Sequence, residues 1–163
     1  MNIAKILLIS LALIVLNACG FKPMHSQNGL GLSGISYRDI SVQTAGNEKI
    51  DFLLKQALRD RVGDNQSAPY ILRVRPVLTR DSIGIRGDDI ASRYDLNMVT
   101  GIELLDAKTG DVLWTDSVRT ISTFSAPQDP YATISAQSNA NERLAENAVE
   151  RILMSLSGYK PRS

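Results

Sequence analysis

Five arginines within one β-prone stretch are the residues whose type and spacing best suit the binding of an anion. Arg73 and Arg75 alternate with Leu72 and Val74, which places both guanidinium groups on one side of a predicted strand. A guanidinium can form paired hydrogen bonds with a phosphate or a carboxylate. The other three arginines are Arg80, Arg86 and Arg93. Nearby aspartates could instead neutralise them and leave an ordinary charge-balanced surface; these are Asp81, Asp88, Asp89 and Asp95.

The single cysteine, Cys19, ends an N-terminal segment with the dimensions of an export signal. Lys5 precedes the apolar run from Ile6 to Leu16, which is shorter than the roughly 20 residues of a membrane-spanning helix. Leu16-Asn17-Ala18-Cys19 resembles the lipobox of bacterial lipoproteins. The resemblance implies cleavage before Cys19, which then carries an N-acyl group and an S-diacylglycerol. Gly20 stands where lipoproteins retained in the inner membrane carry Asp, which favours the outer membrane. The alternatives are an ordinary export signal with a chance cysteine near its end and a short signal anchor.

The sequence after Cys19 contains no set of residues typical of catalysis or metal binding. The only histidine, His25, lies in the segment next to the anchor, so the folded part offers no serine–histidine pair. Asp88-Asp89, within Arg86-Gly87-Asp88-Asp89, are typical of a hairpin turn. We therefore expect no catalytic residue, no metal and no cofactor other than the lipid on Cys19.

Length and composition indicate one domain behind a leader. Residues 1–18 form the predicted signal, and the remaining 145 residues suit one compact core. Residues 19–33 are rich in glycine and polar residues without a period, which predicts a lipidated flexible leader, and residues 34–163 form the domain. The mature chain has equal numbers of acidic and basic residues, which argues against a nucleic-acid partner.

Two amphipathic helices are predicted in this domain. The first covers residues 47–62, with Asn47 as its cap and Gly63 as its end. The second begins after Asp129, at Pro130, and extends to Ser157. Each helix has a single apolar stripe, so each must be buried against another element.

Four strands are predicted around these helices. The first lies near residues 34–43, with an irregularity around Arg38-Asp39. From Tyr70 the hydrophobic period changes to two, and Pro76 indicates an edge position or a bulge. A three-stranded meander then extends to Ser125. The order βαβββα predicts an α+β sandwich, with two helices packed on one face of a mostly antiparallel four-stranded sheet.

The start of the predicted mature chain, Cys19-Gly20-Phe21-Lys22-Pro23-Met24, resembles the Cys-Gly-Phe opening of the LPS-assembly lipoprotein LptE family. The element order agrees, and the third strand of the meander contains Val112-Leu113-Trp114. The resemblance implies a non-enzymatic lipoprotein on the periplasmic side of the outer membrane. It would plug an LptD-like β-barrel translocon, assist the folding of that barrel and take part in lipopolysaccharide transport.

Two sets of residues could serve these partners. Arg80, Arg86 and Arg93 are candidates for contact with lipopolysaccharide phosphates. A polar strand face with Arg73, Arg75, Asp95 and Asn97 could contact the polar interior of a barrel. Two other functions stay open from the sequence: a periplasmic-facing lipoprotein that binds a small ligand, and a structural lipoprotein of another envelope complex.

Overall fold

The computed structural model describes residues 35–46, 48–85 and 91–159, which contain four strands and two α-helices in the predicted order. The bounds are β1 Ile40–Thr44, α1 Lys49–Val62, β2 Tyr70–Ile85, β3 Ala91–Asp106, β4 Val112–Ser125 and α2 Pro130–Ser157. The strands lie in the order β1-β2-β3-β4. β1 is parallel to β2 and the other pairs are antiparallel, so the predicted mostly antiparallel sheet is confirmed.

The irregularity predicted at Arg38-Asp39 is a turn of 3-10 helix, Tyr37–Asp39. The N–H of Ser36 donates to Oδ2 of Asp39 at 3.2 Å, which closes the turn. β1 therefore starts at Ile40 and is shorter than the strand that the sequence predicts. The structure describes nothing before Ile35, so Cys19 and the leader lie outside the described residues.

The first helix begins two residues later than predicted. Asp51 accepts a hydrogen bond from the N–H of Glu48 at 3.1 Å, so α1 starts at Lys49, and the predicted cap Asn47 lies outside the described residues. Gly63 ends the helix as predicted, because its φ of 99° is accessible to glycine without a steric penalty.

Pro76 lies at an edge, as predicted, although β2 continues through it. β1 pairs only with the first residues of β2, and its last pair joins Thr44 to Val74. The N–H of Ala45 donates to the carbonyl of Val74 at 3.2 Å, so the even-numbered residues of β2 direct their main-chain groups towards β1. Pro76 therefore places its nitrogen on the free edge just beyond β1, where no donor is needed.

Both helices pack on the same face of the sheet. α1 buries Ile50, Leu54, Leu58 and Val62, and α2 buries Leu144, Ala148, Ile152 and Leu156, in each case at four-residue spacing. The sheet contributes Leu72, Val74, Leu96, Met98, Ile102 and Leu104. α2 is one continuous helix whose first turn is capped, because Oδ1 of Asp129 accepts a hydrogen bond from the N–H of Tyr131 at 3.0 Å.

A hydrogen bond from Ser155 of α2 to Asp116 of β4 links the long helix to the edge of the sheet. This bond, together with the N–H of Ser117, holds the pKa of the Asp116 carboxyl below its ordinary value. Because the pKa is lower in the folded state, the bond stabilises the fold above the unfolded pKa of about 4 and is lost as the pH falls through the folded pKa.

We expect Ser155→Ala to raise the pKa of Asp116 towards its ordinary value, because the largest cause of the shift is removed. An NMR titration of the side-chain carboxyl carbons measures this directly. Asp106 is the internal control, since the N–H groups of Lys108 and Thr109 lower its pKa and neither depends on Ser155. An unchanged pKa at Asp116 would contradict the assigned bond.

Candidate functional site

One of the predicted lipopolysaccharide-binding arginines, Arg80, lies on an aromatic platform at the hairpin end of the sheet. Its guanidinium carbon is 3.7 Å from the ring centroid of Tyr94 and 5.8 Å from that of Phe124. The two rings stack with centroids 5.3 Å apart. Nη1 of Arg80 also donates to Oε1 of Gln137 on α2 at 3.5 Å. We call these four residues the Arg80 site.

The charge of Arg80 is not neutralised by a neighbour that the structure describes. Among the residues in 35–46, 48–85 and 91–159, ion pairs form at Arg59, Arg73 and Arg75. Stacking on Tyr94 orients the guanidinium, and this contact does not neutralise its charge as a carboxylate would. The Arg80 site therefore presents an exposed cation in a fixed orientation, which suits a phosphate or carboxylate ligand.

Exposed apolar residues lie on the helix next to this cation. Tyr131 and Ile134 precede Gln137 at three-residue intervals, so the three lie along one side of α2. Tyr131 is 82% exposed and Ile134 is 65% exposed. A cation beside uncovered apolar surface matches a ligand that carries both an anionic group and hydrocarbon.

The structure does not bring the three predicted phosphate-binding arginines together. Arg80 pairs with Leu96 and lies on the face that the helices cover, whereas Arg93 pairs with Ile83 and lies on the opposite face. The sheet separates the two side chains, because side chains alternate between faces along each strand. Arg86 lies outside the described residues.

The four residues predicted for a polar strand face do lie on one face, which we call the open face because neither helix covers it. Arg73 and Arg75 both reach Oε2 of Glu103, at 3.3 and 3.6 Å. Asn97 donates to Asp81 at 2.9 Å, and Asp95 accepts from Thr123 at 2.6 Å. Hydrogen bonds and ion pairs thus connect polar side chains across three strands of this face.

Sequence reasoning missed two members of this network. Glu103 is the partner of Arg73 and Arg75, although the candidates close to them in sequence were aspartates. Arg119 donates to Oδ1 of Asn97 at 3.0 Å. Glu103 lies on β3 and Arg119 on β4, and only the pairing register brings Glu103 opposite Arg73 and Arg119 opposite Val99.

A small apolar cluster interrupts the polar network of the open face. Val77 pairs directly with Val99, and Ile121 on β4 lies diagonally beside Val99. Their exposed fractions are 63%, 46% and 53%. A sheet face with interlocked polar groups around exposed β-branched side chains is typical of a protein contact surface.

No group of three or more histidine, cysteine or acidic side chains in the described part of the chain could hold a metal ion. The helices in this part lack the combination of length and hydropathy that spanning a membrane requires.

Comparison with known proteins shows the family to which the chain is similar. The family model described as "LptE: Lipopolysaccharide-assembly" matches residues 37–156. No curated protein matches the chain.

Solved structures share the fold. The chain is similar to a lipoprotein of Caulobacter crescentus CB15, with 29% identity, a TM-score of 0.61 and coverage of 74% of this chain and 89% of that one. It is also similar to rare lipoprotein B of Shewanella oneidensis, with 16% identity, a TM-score of 0.53 and coverage of 72% and 92%. For a minor lipoprotein of Acinetobacter baumannii the identity is 14%, the TM-score 0.56 and the coverage 76% and 92%.

Proposed function

The chain belongs to the LptE family of lipopolysaccharide-assembly proteins, and from that premise we propose that it is an outer-membrane lipoprotein with a non-catalytic role. It occupies the lumen of an LptD-like β-barrel, assists the folding of that barrel and takes part in the transfer of lipopolysaccharide to the outer leaflet. The lipoprotein relatives with the same fold support an envelope role.

The open face supports the proposed barrel contact. The interior of a large membrane barrel is polar, so a plug must offer hydrogen-bonding groups rather than a continuous apolar surface. Arg73, Arg75, Asp95 and Asn97 supply such groups, and their partners within the sheet hold them in place. The cluster of Val77, Val99 and Ile121 adds apolar contact area near the centre of the face.

The Arg80 site supports direct contact with lipopolysaccharide, which carries both phosphates and acyl chains. The single observation that carries this part of the proposal is an exposed guanidinium, oriented by Tyr94, with no carboxylate partner among the described residues. The exposed Tyr131 and Ile134 offer apolar surface nearby. A phosphate would bind the guanidinium while hydrocarbon covers the helix.

The membrane attachment is proposed to be covalent. Cys19 carries the N-acyl and S-diacylglycerol groups, and residues 19–33 join this lipid to the domain. Each buried methylene contributes about 0.8 kcal/mol, so a single chain binds reversibly while several chains hold firmly. The proposed location of the domain is the periplasmic side of the outer membrane.

Purification of the full-length tagged lipoprotein from outer membranes in mild detergent tests the proposed function. A stable one-to-one complex with a large β-barrel protein is expected. An isolated monomer that retains a small ligand would instead support the rival function, a ligand-binding lipoprotein. Mass spectrometry of the eluted material distinguishes the two.

We expect Arg80→Gln to weaken binding of the full-length lipoprotein to lipopolysaccharide by about tenfold or more, because a hydrogen bond to a charged group contributes about 1.5–3 kcal/mol. Surface plasmon resonance with immobilised lipopolysaccharide measures the change. Arg93→Gln is the matched control, since it removes the same charge from the opposite face. Unchanged binding in the triple serine variant of Arg80, Arg86 and Arg93 would refute a role for this group of arginines.

A further inference from the structure

β4 is an edge strand, and the structure shows which of its main-chain groups face outward. The N–H of Ala126 donates to the carbonyl of Ser92 at 2.9 Å, whereas the N–H of Ser117 donates to Oδ1 of Asp116 in its own strand at 2.8 Å. In an antiparallel pair, alternate residues direct their N–H and C=O groups to the same side. From Trp114 to Phe124 the even-numbered residues of β4 therefore bond to β3, and Arg119, Ile121 and Thr123 direct their main-chain groups away from the sheet.

Only part of this edge is open. The Asp116 carboxylate occupies the N–H of Ser117 and is itself held by Ser155, which blocks the edge at that end. From Arg119 to Ser125 no proline or lysine protects the edge, and the guanidinium of Arg119 lies back over Asn97. The opposite edge of the sheet is protected, because Pro76 lacks an N–H donor at the point where β2 extends beyond its pairing with β1.

A groove runs beside the open stretch, between β4 and α2. It has a volume of about 530 Å³ and is lined by Thr120, Ile121, Asn147, Glu150, Arg151 and Met154. The hydroxyl of Thr120, which is only 3% exposed, has no hydrogen-bond partner in the structure. Among the described residues neither Glu150 nor Arg151 forms an ion pair. Met154, 71% exposed, adds a flexible apolar side chain.

We propose that β4 accepts an extended segment of the barrel partner as a fifth strand, paired antiparallel along residues 119–125. Main-chain donors and acceptors at two-residue spacing along a sheet edge can form hydrogen bonds with another extended main chain. On the side of the groove the occupant carries an apolar residue against Met154 and an acidic residue against Arg151, and on the open face an apolar residue beside Ile121. This inference rests on the proposed function, since it names a segment of the proposed barrel as the occupant.

Cross-linking in cells tests the pairing. A photoreactive benzoylphenylalanine is placed at Ser125, within the open stretch, or at Thr115, beyond the Asp116 block, in the otherwise unchanged full-length lipoprotein produced with the barrel. We expect Ser125 to cross-link to one contiguous segment of the barrel and Thr115 to give no such product. Ile121→Pro should reduce the cross-link far more than Ile121→Ala does, because both variants lose the isoleucine side chain and only proline also lacks the outward N–H.

The outcomes separate this inference from the proposed function. If the barrel co-purifies but Ser125 cross-links to no barrel segment, or to a second copy of the lipoprotein, strand addition is wrong and the barrel partnership stands. If no barrel co-purifies, both are wrong. The N–H of Ile121 does not pair with β3, so the proline and alanine variants should melt at similar temperatures. If the proline variant does not fold, the cross-link from Ser125 in the otherwise unchanged chain still tests the pairing.

Discussion

Replacing Leu144 with alanine is expected to lower the free energy of unfolding by about 3 kcal/mol and the Tm by about 10 °C. Leu144 is fully buried in α2, within the core that both helices form with the sheet. Alanine favours the helix at least as well as leucine, so the loss reports on packing and not on helix propensity. The truncation leaves a cavity at a position from which solvent is excluded.

Chemical denaturation followed by circular dichroism measures this loss. Met154→Ala is the control, because it shortens a side chain of similar size on the same helix that is 71% exposed. The control should change the free energy of unfolding by less than about 0.5 kcal/mol. Equal losses in the two variants would show that α2 does not pack on the sheet by the side that carries Leu144.

Exchange of residues 1–19 for an ordinary cleavable signal peptide is expected to move the protein that is produced in excess of the barrel from the membrane fraction to the soluble periplasmic fraction. The proposed acyl chains on Cys19 bury many methylenes, each contributing about 0.8 kcal/mol, and the exchange removes all of them. Fractionation followed by immunoblotting measures the shift. Retention in the membrane at the native level would mean that binding to a membrane protein is sufficient for attachment.

Gly20→Asp is the companion variant for this experiment. It leaves Cys19 in place and introduces the residue associated with retention in the inner membrane. We therefore expect a protein that is still membrane-bound but sediments with the inner membrane in a density gradient. If the variant reached the outer membrane as well as the native chain does, the sorting prediction made from Gly20 would be wrong.

Local signals in the sequence were sufficient to predict the order of the elements and several of their ends. Asp129-Pro130 predicted the start of α2, Gly63 predicted the end of α1, and both signals act within a few residues of the chain. Pro76 predicted an edge position or a bulge, because proline lacks the donor that a central strand requires, and the structure shows the edge. The weakly helical Ser- and Asn-rich first half of α2 is nevertheless helical, since it continues a helix whose second half is buried.

The arrangement of the candidate site depended on contacts that are distant in sequence. Arg80 and Arg93 are close along the hairpin, yet the register places them on opposite faces. The partner of Arg73 is Glu103, thirty residues away, and it meets Arg73 only because the two strands pair over their full length. Stacking of Arg80 on Tyr94 likewise requires the pairing of β2 with β3.

Because β1 is parallel to β2, the start of the domain and the Arg80 site lie at opposite ends of the sheet, which we call its two poles. The chain enters through the buried Ile35 at the pole where Ile40 pairs with Tyr70, whereas Arg80 lies ten residues further along β2, about 33 Å away. A leader of fifteen residues reaches at most about 50 Å, which exceeds that distance. With the proposed lipid on Cys19, a leader of this length would allow the domain to invert, so that the Arg80 end could approach the leaflet that holds the lipid. A leader shorter than the sheet would prevent the domain from inverting and would keep the Arg80 end away from that leaflet.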